Sequence, residues 1–274
     1  MRIAIISDIH SNYQALKKVI EDIRRKNIDK VICAGDIIGK GINSRKCIDL
    51  VRENCDIVLR GNTDDRFSQN AENFRTDEVE YNRIKWNQSL LTEVELAYLQ
   101  SLPMTTEFYL SGNLVRVFHA TPESVYSTIN NYNMDFSKKR SLFLPSNNTE
   151  SQEVADIVIF GHVHYQFMEK IYNRTLVNCG SVGCPGCLIY DEEHNSTPTE
   201  IRQAHYLIVE GDENSLKVGD ISITFQSVEY DIQKEFNDNK LNPEKESYYD
   251  ELFNAKYRGI KTAMKRLEEE GFKF

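Results

Sequence analysis

Five short strand-like runs in this sequence each deliver a side chain that can bind a divalent metal. Ile3–Ile6 runs into Ser7-Asp8-Ile9-His10, Val31–Ala34 into Gly35-Asp36, and Asp56–Leu59 into Arg60-Gly61-Asn62. Val115–Phe118 runs into His119, and Asp156–Phe160 into Gly161-His162-Val163-His164. Four of the six histidines fall at these positions. The set Asp8, His10, Asp36, Asn62, His119, His162 and His164 mixes oxygen and imidazole donors, which suits manganese, iron, zinc or a similar divalent ion. Seven donors exceed what one ion in an open catalytic site takes. Two ions sharing a carboxylate, roughly 3.5–4 Å apart, would use them all. Binding needs ionised aspartates and neutral histidines, and both exist near pH 7. Taken singly, each piece has a plain structural explanation. Asp-x-His after a strand is mostly a helix cap, and Gly-Asp and Gly-Asn are mostly turns. That explanation does not extend to all five together, each at a strand end.

Strands must alternate with helices to bring those ends to one edge. After Ile3–Ile6, the residues Leu16, Val19, Ile20 and Ile23 follow helical spacing, with Ser11 or Asn12 as a cap. Val31–Ala34 is the next strand, Cys47, Ile48, Leu50 and Val51 mark a second helix, and Asp56–Leu59 is a third strand. Strand, helix, strand, helix, strand with short links predicts parallel βαβ units, whose ligands bind at the carboxyl ends of the strands. Residues 66–102 break the rhythm as a mostly polar helical insertion, with a capping-box pair at Thr92 and Glu95 and a stop at Pro103. Further strands are expected at 107–110, 114–118, 156–160, 175–178, 205–210 and 220–225. In the last of these Ile221, Ile223 and Phe225 alternate as in a half-buried antiparallel strand. Residues 121–150 read as a long polar and aromatic loop region. Residues from about 231 to 274 read as a helical extension with one long terminal helix, in which Leu252, Ile260, Ala263, Met264 and Leu267 share a side. The whole chain, 1–274, reads as one domain.

Composition narrows the partners. The chain has 274 residues and a formal net charge of −9. An acidic chain carries no broad field to attract nucleic acid, so DNA or RNA binding is disfavoured. The four apolar residues before Ser7 are too few for a secretory signal, and no run approaches the roughly 20 apolar residues of a membrane helix. Six cysteines without a signal point to a reducing cytoplasm.

The ordered motifs Asp8-Ile9-His10, Gly35-Asp36, Gly61-Asn62, His119 and Gly161-His162-Val163-His164 resemble the calcineurin-like metallophosphoesterase superfamily over about residues 1–190. Gly35–Gly41, Lys85–Pro103, Phe118–Pro122 and Asn178–Pro185 are similar to a bacterial and archaeal branch of small phosphodiesterases, some of them described as dinucleoside polyphosphate hydrolases. The resemblance implies an α/β fold, a four-layer αββα sandwich around a dinuclear centre. It assigns Asp8, His10 and His164 to one ion, Asn62, His119 and His162 to the other, and Asp36 as the bridge. The implied reaction is attack on phosphorus by a hydroxide held between the ions, on a small phosphate ester or nucleotide. Manganese is the expected metal, with iron and zinc as alternatives. Asp36, Asn62 and His119 would form the catalytic core.

The sequence departs from the family pattern in two places. Gly39-Lys40-Gly41 stands where protein phosphatases carry Asp-Arg-Gly, which disfavours that branch. Thr63 stands where many relatives have histidine after Gly-Asn, so the usual proton donor is missing. Asp64 is the candidate acid in its place, and Thr63, Arg66 and Arg140 are candidate substrate contacts, with Lys138 and Lys139 nearby. Trp86, Tyr126, Tyr132 and Phe136 are candidates to stack on a base, although aromatics in such segments more often pack. Cys184-Pro185-Gly186-Cys187, near Cys179, lacks the second ligand pair of a structural zinc site and reads as ordinary thiols. A scaffold protein on the same fold, or a nuclease, are the alternatives. The complete ligand set opposes the first and the acidic balance opposes the second.

Overall fold

The protein is described from a computed structural model, which covers residues 1–127, 129, 135–186 and 203–254. Two five-stranded sheets pack face to face. The first has the order β10-β9-β1-β2-β3, where β1 is Arg2–Ile6, β2 Lys30–Cys33, β3 Ile57–Val58, β9 Gln203–Glu210 and β10 Ser222–Glu229. The second has the order β4-β5-β6-β8-β7, where β4 is Thr105–Leu110, β5 Asn113–Phe118, β6 Ile157–Phe160, β7 Gln166–Ile171 and β8 Arg174–Cys179. The two are built alike. Each has three parallel strands, β1-β2-β3 and β5-β6-β8, extended by antiparallel neighbours. The in-register pairs Ile6↔Cys33 and Phe118↔Phe160 bring the ends of adjacent parallel strands level.

Alternation along the strands builds the layers. Ile3 and Ile5 face the second sheet and pack with Val115, Val117, Ile157, Ile159 and Val177. Ala4 and Ile6 point the other way, into the helices, as a period of two requires. Those helices are α1 (Tyr13–Arg24) and α2 (Ser44–Asn54). The expected residues Leu16, Val19, Ile20 and Ile23 form the buried face of α1, and Asn12 is its cap, accepting from the Ala15 N–H at 3.0 Å. The outer face of the second sheet buries Leu114, Phe118, Val158 and Phe160 against Leu142 and Phe143. That face is covered mainly by a loop that holds one short helix, α6 (Phe136–Ser141).

The helical insertion comprises α3 (Asn62–Ser68), a 3-10 turn (Ala71–Phe74), α4 (Glu78–Ser89) and α5 (Glu93–Ser101). It therefore starts at Asn62, earlier than the expected 66, so a candidate ligand is itself the first residue of a helix. The Thr92–Glu95 capping box is present at the start of α5. Strand β7 was not expected. Its mostly half-exposed residues show the polar mix of an edge strand rather than an apolar run. The last strand runs on to Glu229, with Phe225 38% exposed. Among the described residues the C-terminal extension holds α7 (Ile232–Asp238) and α8 (Lys245–Asn254), the second starting where the terminal helix was expected. Ile260, Ala263, Met264 and Leu267 lie outside the described residues. No helix among the described residues is long and apolar enough to cross a membrane.

Candidate metal centre

The seven candidate ligands follow the carboxyl ends of β1, β2, β3, β5 and β6, six in loops and Asn62 at the first residue of α3. Five of them hold left-handed backbone: Asp8 (φ 55°), His10 (52°), Asp36 (54°), His162 (68°) and His164 (67°). This region is unfavourable for side chains other than glycine, and outliers of this kind cluster at functional sites. Backbone hydrogen bonds hold the loops in it. The amides of Ile9 and His10 both donate to the Asp36 carbonyl, at 2.8 and 3.0 Å, and the Asp8 amide donates to Gly35 O at 3.0 Å. The Asp36 and Asn62 loops touch backbone to backbone. A Cβ on Gly35 would lie 2.4 Å from Gly61 N, and one on Gly61 would lie 2.1 Å from Asp36 N. Only glycine at both positions allows that approach.

The side chains converge in two halves. In the first, Nε2 of His10 lies 3.0 Å from Nε2 of His164, which is 3.2 Å from Asp8 Oδ1. In the second, one end of the Asn62 amide lies 2.9 Å from His162 Nδ1 and 3.0 Å from His119 Nε2. Asp36 stands between them, with Oδ2 3.6 Å from His10 Nε2 and Oδ1 3.5 Å from His119 Nε2. Two tautomers are set from behind. Nδ1 of His119 faces the Ala34 carbonyl at 2.9 Å, and Nδ1 of His164 faces the Cys184 carbonyl at 2.8 Å. A protonated Nδ1 donating to each carbonyl leaves the Nε2 lone pair for a metal. The buried Asp8 Oδ1 has no satisfying hydrogen bond. With the Asn62 oxygen turned inward, the second half is also a cluster of acceptors with no donor among them. A cation satisfies such a cluster, so the residues fit a metal. Asp8, His10 and His164 lie close enough to share one ion, as do Asp8, Asp36 and His119.

The sequence profile of the calcineurin-like phosphoesterase superfamily domain matches residues 1–201, a span that includes all seven residues. The chain belongs to this superfamily. It is also 31% identical over 250 residues to the uncharacterized protein MJ0912 of Methanocaldococcus jannaschii, covering 85% of this chain and 90% of that protein. A solved metallophosphoesterase from Sphaerobacter thermophilus is similar with a TM-score of 0.68 at 24% identity, over 92% of this chain and 98% of that one. The hypothetical protein PH1004 from Pyrococcus horikoshii OT3 gives a TM-score of 0.71 at 17% identity, over 94% and 99%. Both structures share the fold of this superfamily member.

The electrostatics of the candidate site follow largely from burial. Burial pushes His10 well below its ordinary value, helped by the charge of Lys40, and pushes His162 down to about 3, helped by His119. Neutral imidazoles are the ligating form. The two aspartates diverge. Burial pushes Asp8 up, but His164, His119 and His10 outweigh it and hold Asp8 well below the usual carboxylate range. Asp36 is pushed up to about 7 by burial and then by the charge of Asp8. A cation between the two halves would reverse that rise and ionise Asp36.

The other candidates divide. Thr63 borders the cleft beside Asn62, but its hydroxyl donates to the Ile38 carbonyl at 2.7 Å and its amide to Asp36 Oδ1 at 2.8 Å. Asp64 is fully buried and turned to the backbone. Its Oδ1 accepts from the amides of Ile37 (2.9 Å) and Ile38 (3.3 Å), and its Oδ2 from that of Gly61 (3.0 Å). It rivets the Asp36 loop to the Asn62 segment, a role that sequence reasoning missed because two of the three amides come from a distant part of the chain. Burial, then the charge of Asp36, pushes Asp64 up to about 7. Arg66 and Tyr126 line the cleft. Arg140 stands exposed on α6 and does not, and neighbouring Lys139 is paired with Glu169 at 2.7 Å. Trp86 is half-buried in α4, and Phe136 is exposed beside Lys139. Cys179 is a buried free thiol, and Cys184 is buried as well. Tyr132 and Cys187 lie outside the described residues.

Proposed function

We propose that the protein is a dinuclear metal-dependent hydrolase of phosphodiester or phosphoanhydride bonds in small nucleotide-type substrates, dinucleoside polyphosphates among them. The observation that carries this reading is Asp36, one carboxylate whose two oxygens face His10 in one half and His119 in the other. Asp8, His10 and His164 would hold one ion, Asn62, His119 and His162 the second, and Asp36 both. Manganese is the metal proposed, with iron and zinc as alternatives. When bound, such ions supply Lewis acidity, neutralise phosphoryl charge and bring the pKa of water at the centre towards neutrality.

The chain's own part is positioning. The Ala34 and Cys184 carbonyls fix the two imidazoles, and the Thr63 amide fixes one oxygen of Asp36. Neither Thr63 nor Asp64 is placed to protonate a leaving group, because the hydroxyl of one is donated to a carbonyl and the carboxylate of the other is held by three amides. General-acid help is worth about 10²–10⁴-fold. Activated leaving groups, such as nitrophenol or a nucleoside polyphosphate, are therefore the preferred ones, and alkyl phosphomonoesters are poor substrates. The test counts ions in manganese-supplied protein by elemental analysis. It then measures kcat/KM for bis(p-nitrophenyl) phosphate, p-nitrophenyl phosphate, diadenosine tetraphosphate, an alkyl phosphate and single-stranded DNA. Protein that takes up no metal, or that cleaves none of the panel, overturns the reading. A flat dependence on leaving-group pKa that Asp64→Asn abolishes would restore Asp64 as the acid.

A further inference from the structure

A cleft of about 230 Å³ opens beside the proposed centre, its lining including the cations Lys40, Arg66 and Arg83, the carboxylates Glu80 and Glu244, and Asn62. It is smaller than the roughly 300–1,000 Å³ of a typical small-molecule site. It suits a charged group rather than a whole nucleotide. Asn62 and Arg66 are one turn apart on α3, so they share a face with Cβ atoms about 5–6 Å apart. The Arg66 guanidinium lies 5.1 Å from the centroids of both Phe74 and Tyr126, and it also hydrogen-bonds the Tyr126 side chain. Its Nη1 donates to Glu80 Oε1 at 2.9 Å. The other Glu80 oxygen accepts from Arg83 at 2.7 Å, and Arg83 places two more nitrogens on Glu244, at 3.2 and 2.9 Å. Arg83 thus has three nitrogens on carboxylates and acts through Glu80, whereas Arg66 has one nitrogen on a carboxylate and lines the cleft.

Lys40 enters the same cleft from the Asp36 loop. It holds left-handed backbone at φ 58° between two glycines, and its ammonium is 3.1 Å from Glu251. Glycine would adopt that conformation without cost, so a lysine there implies work for its side chain. Fork-shaped Arg66 and point-charged Lys40 are complementary ways of holding phosphate.

We propose that Arg66 and Lys40 form a second anion subsite that binds a phosphoryl group adjoining the scissile one, with Glu80 and Arg83 as positioning residues. It rests on the phosphoesterase reading for the nature of the ligand, and it makes substrates with linked phosphates preferred over singly charged diesters. The experiment compares wild type with Arg66→Ala, Arg66→Lys, Lys40→Ala and Glu80→Gln. Calorimetry measures affinity for methylenediphosphonate relative to methylphosphonate, with and without manganese, and kinetics measures kcat/KM for tripolyphosphate relative to bis(p-nitrophenyl) phosphate. Both ratios should fall about 10–100-fold in Arg66→Ala. They should fall less in Lys40→Ala and Glu80→Gln, and Arg66→Lys should be intermediate because it keeps charge but loses the fork. Thermal melts identify any variant that fails to fold, and the remaining variants then decide. Ratios equal to wild type in the folded variants overturn the subsite even if hydrolysis is intact. A wild type that hydrolyses nothing, yet prefers the bisphosphonate through Arg66, keeps the subsite and removes the hydrolase reading.

Discussion

The two halves of the proposed centre are built from similar side chains in different settings. Asp8, His10 and His164 are buried, at 0%, 1% and 5% exposure, and a backbone carbonyl backs one of the imidazoles. In the other half His119 is equally buried and backed by a carbonyl, but Asn62 and His162 are half-buried, and Asn62 borders the cleft. The deep half offers a charged carboxylate of its own. The open half offers a neutral amide in the same place. Charge and enclosure favour retention of an ion, whereas a neutral ligand and an open side favour access for substrate. In the proposed centre the deep half would therefore anchor, and the open half would meet the phosphoryl group.

Asp36 is the residue both halves share, and its loss has the largest expected effect. Asp36→Asn should leave fewer than two ions per chain and lower kcat/KM by at least about 10³-fold, several kcal/mol of lost charge stabilisation. Full metal content in that variant would show that the halves are independent. Next come the halves taken separately. His164→Ala should empty the deep one and Asn62→Ala the open one, each leaving about one ion by elemental analysis. In wild type a graded chelator titration should remove the open-half ion first, and Asn62→Asp should delay that loss. Release in the opposite order would reverse the assignment of anchor and access.

Asp64 tests whether the halves need a common frame. Asp64→Ala leaves three backbone amides without an acceptor, at about 1–3 kcal/mol each for groups that stay dry. It should lower the melting temperature and weaken metal binding by about 10–100-fold, as loss of an orienting residue does. Unchanged metal affinity would mean that the loops keep their places without it. The smallest effect lies away from the centre, at Glu235 on α7, where burial pushes the carboxyl from 4.5 up to about 7. The folded protein then binds that proton more tightly than the unfolded chain. Its contribution to stability is complete below about pH 4.5 and is lost as pH rises to about 7, an effect of roughly 3 kcal/mol. Asp64, also pushed up, titrates in the same direction. Thermal melts of metal-loaded protein from pH 5 to 8 should show the decline, and Glu235→Gln should flatten part of it.

Much of the frame was legible from the sequence because it depends on local patterns. The periods of β1, α1 and β2 and the residue after each parallel strand could all be read locally, and so could the seven candidate ligands. Strand β7 was not, because an edge strand need not be apolar. The orientation of Asp64 was not, because its partners Ile37 and Ile38 come from another loop. Nor were the carbonyls of Ala34 and Cys184, since every residue has one and only the folded chain shows which face an imidazole. The left-handed backbone at Asp8, His10, Asp36, His162 and His164 was equally hidden, because Asp and His, though enriched there, mostly hold other conformations.

The ligands come from both sheets, and that has a consequence for how the chain is tied together. Asp8, His10, Asp36 and Asn62 follow strands of one sheet, whereas His119, His162 and His164 follow strands of the other. Ions held by both groups would be cross-links between residues 57 to 154 positions apart in the chain, in the manner of a disulfide. Closing a 100-residue loop restricts the unfolded chain by up to about 5 kcal/mol in the chain-entropy model. With its ions in place, the sandwich could not open one sheet without releasing the other, and the two halves of the fold would melt as one unit.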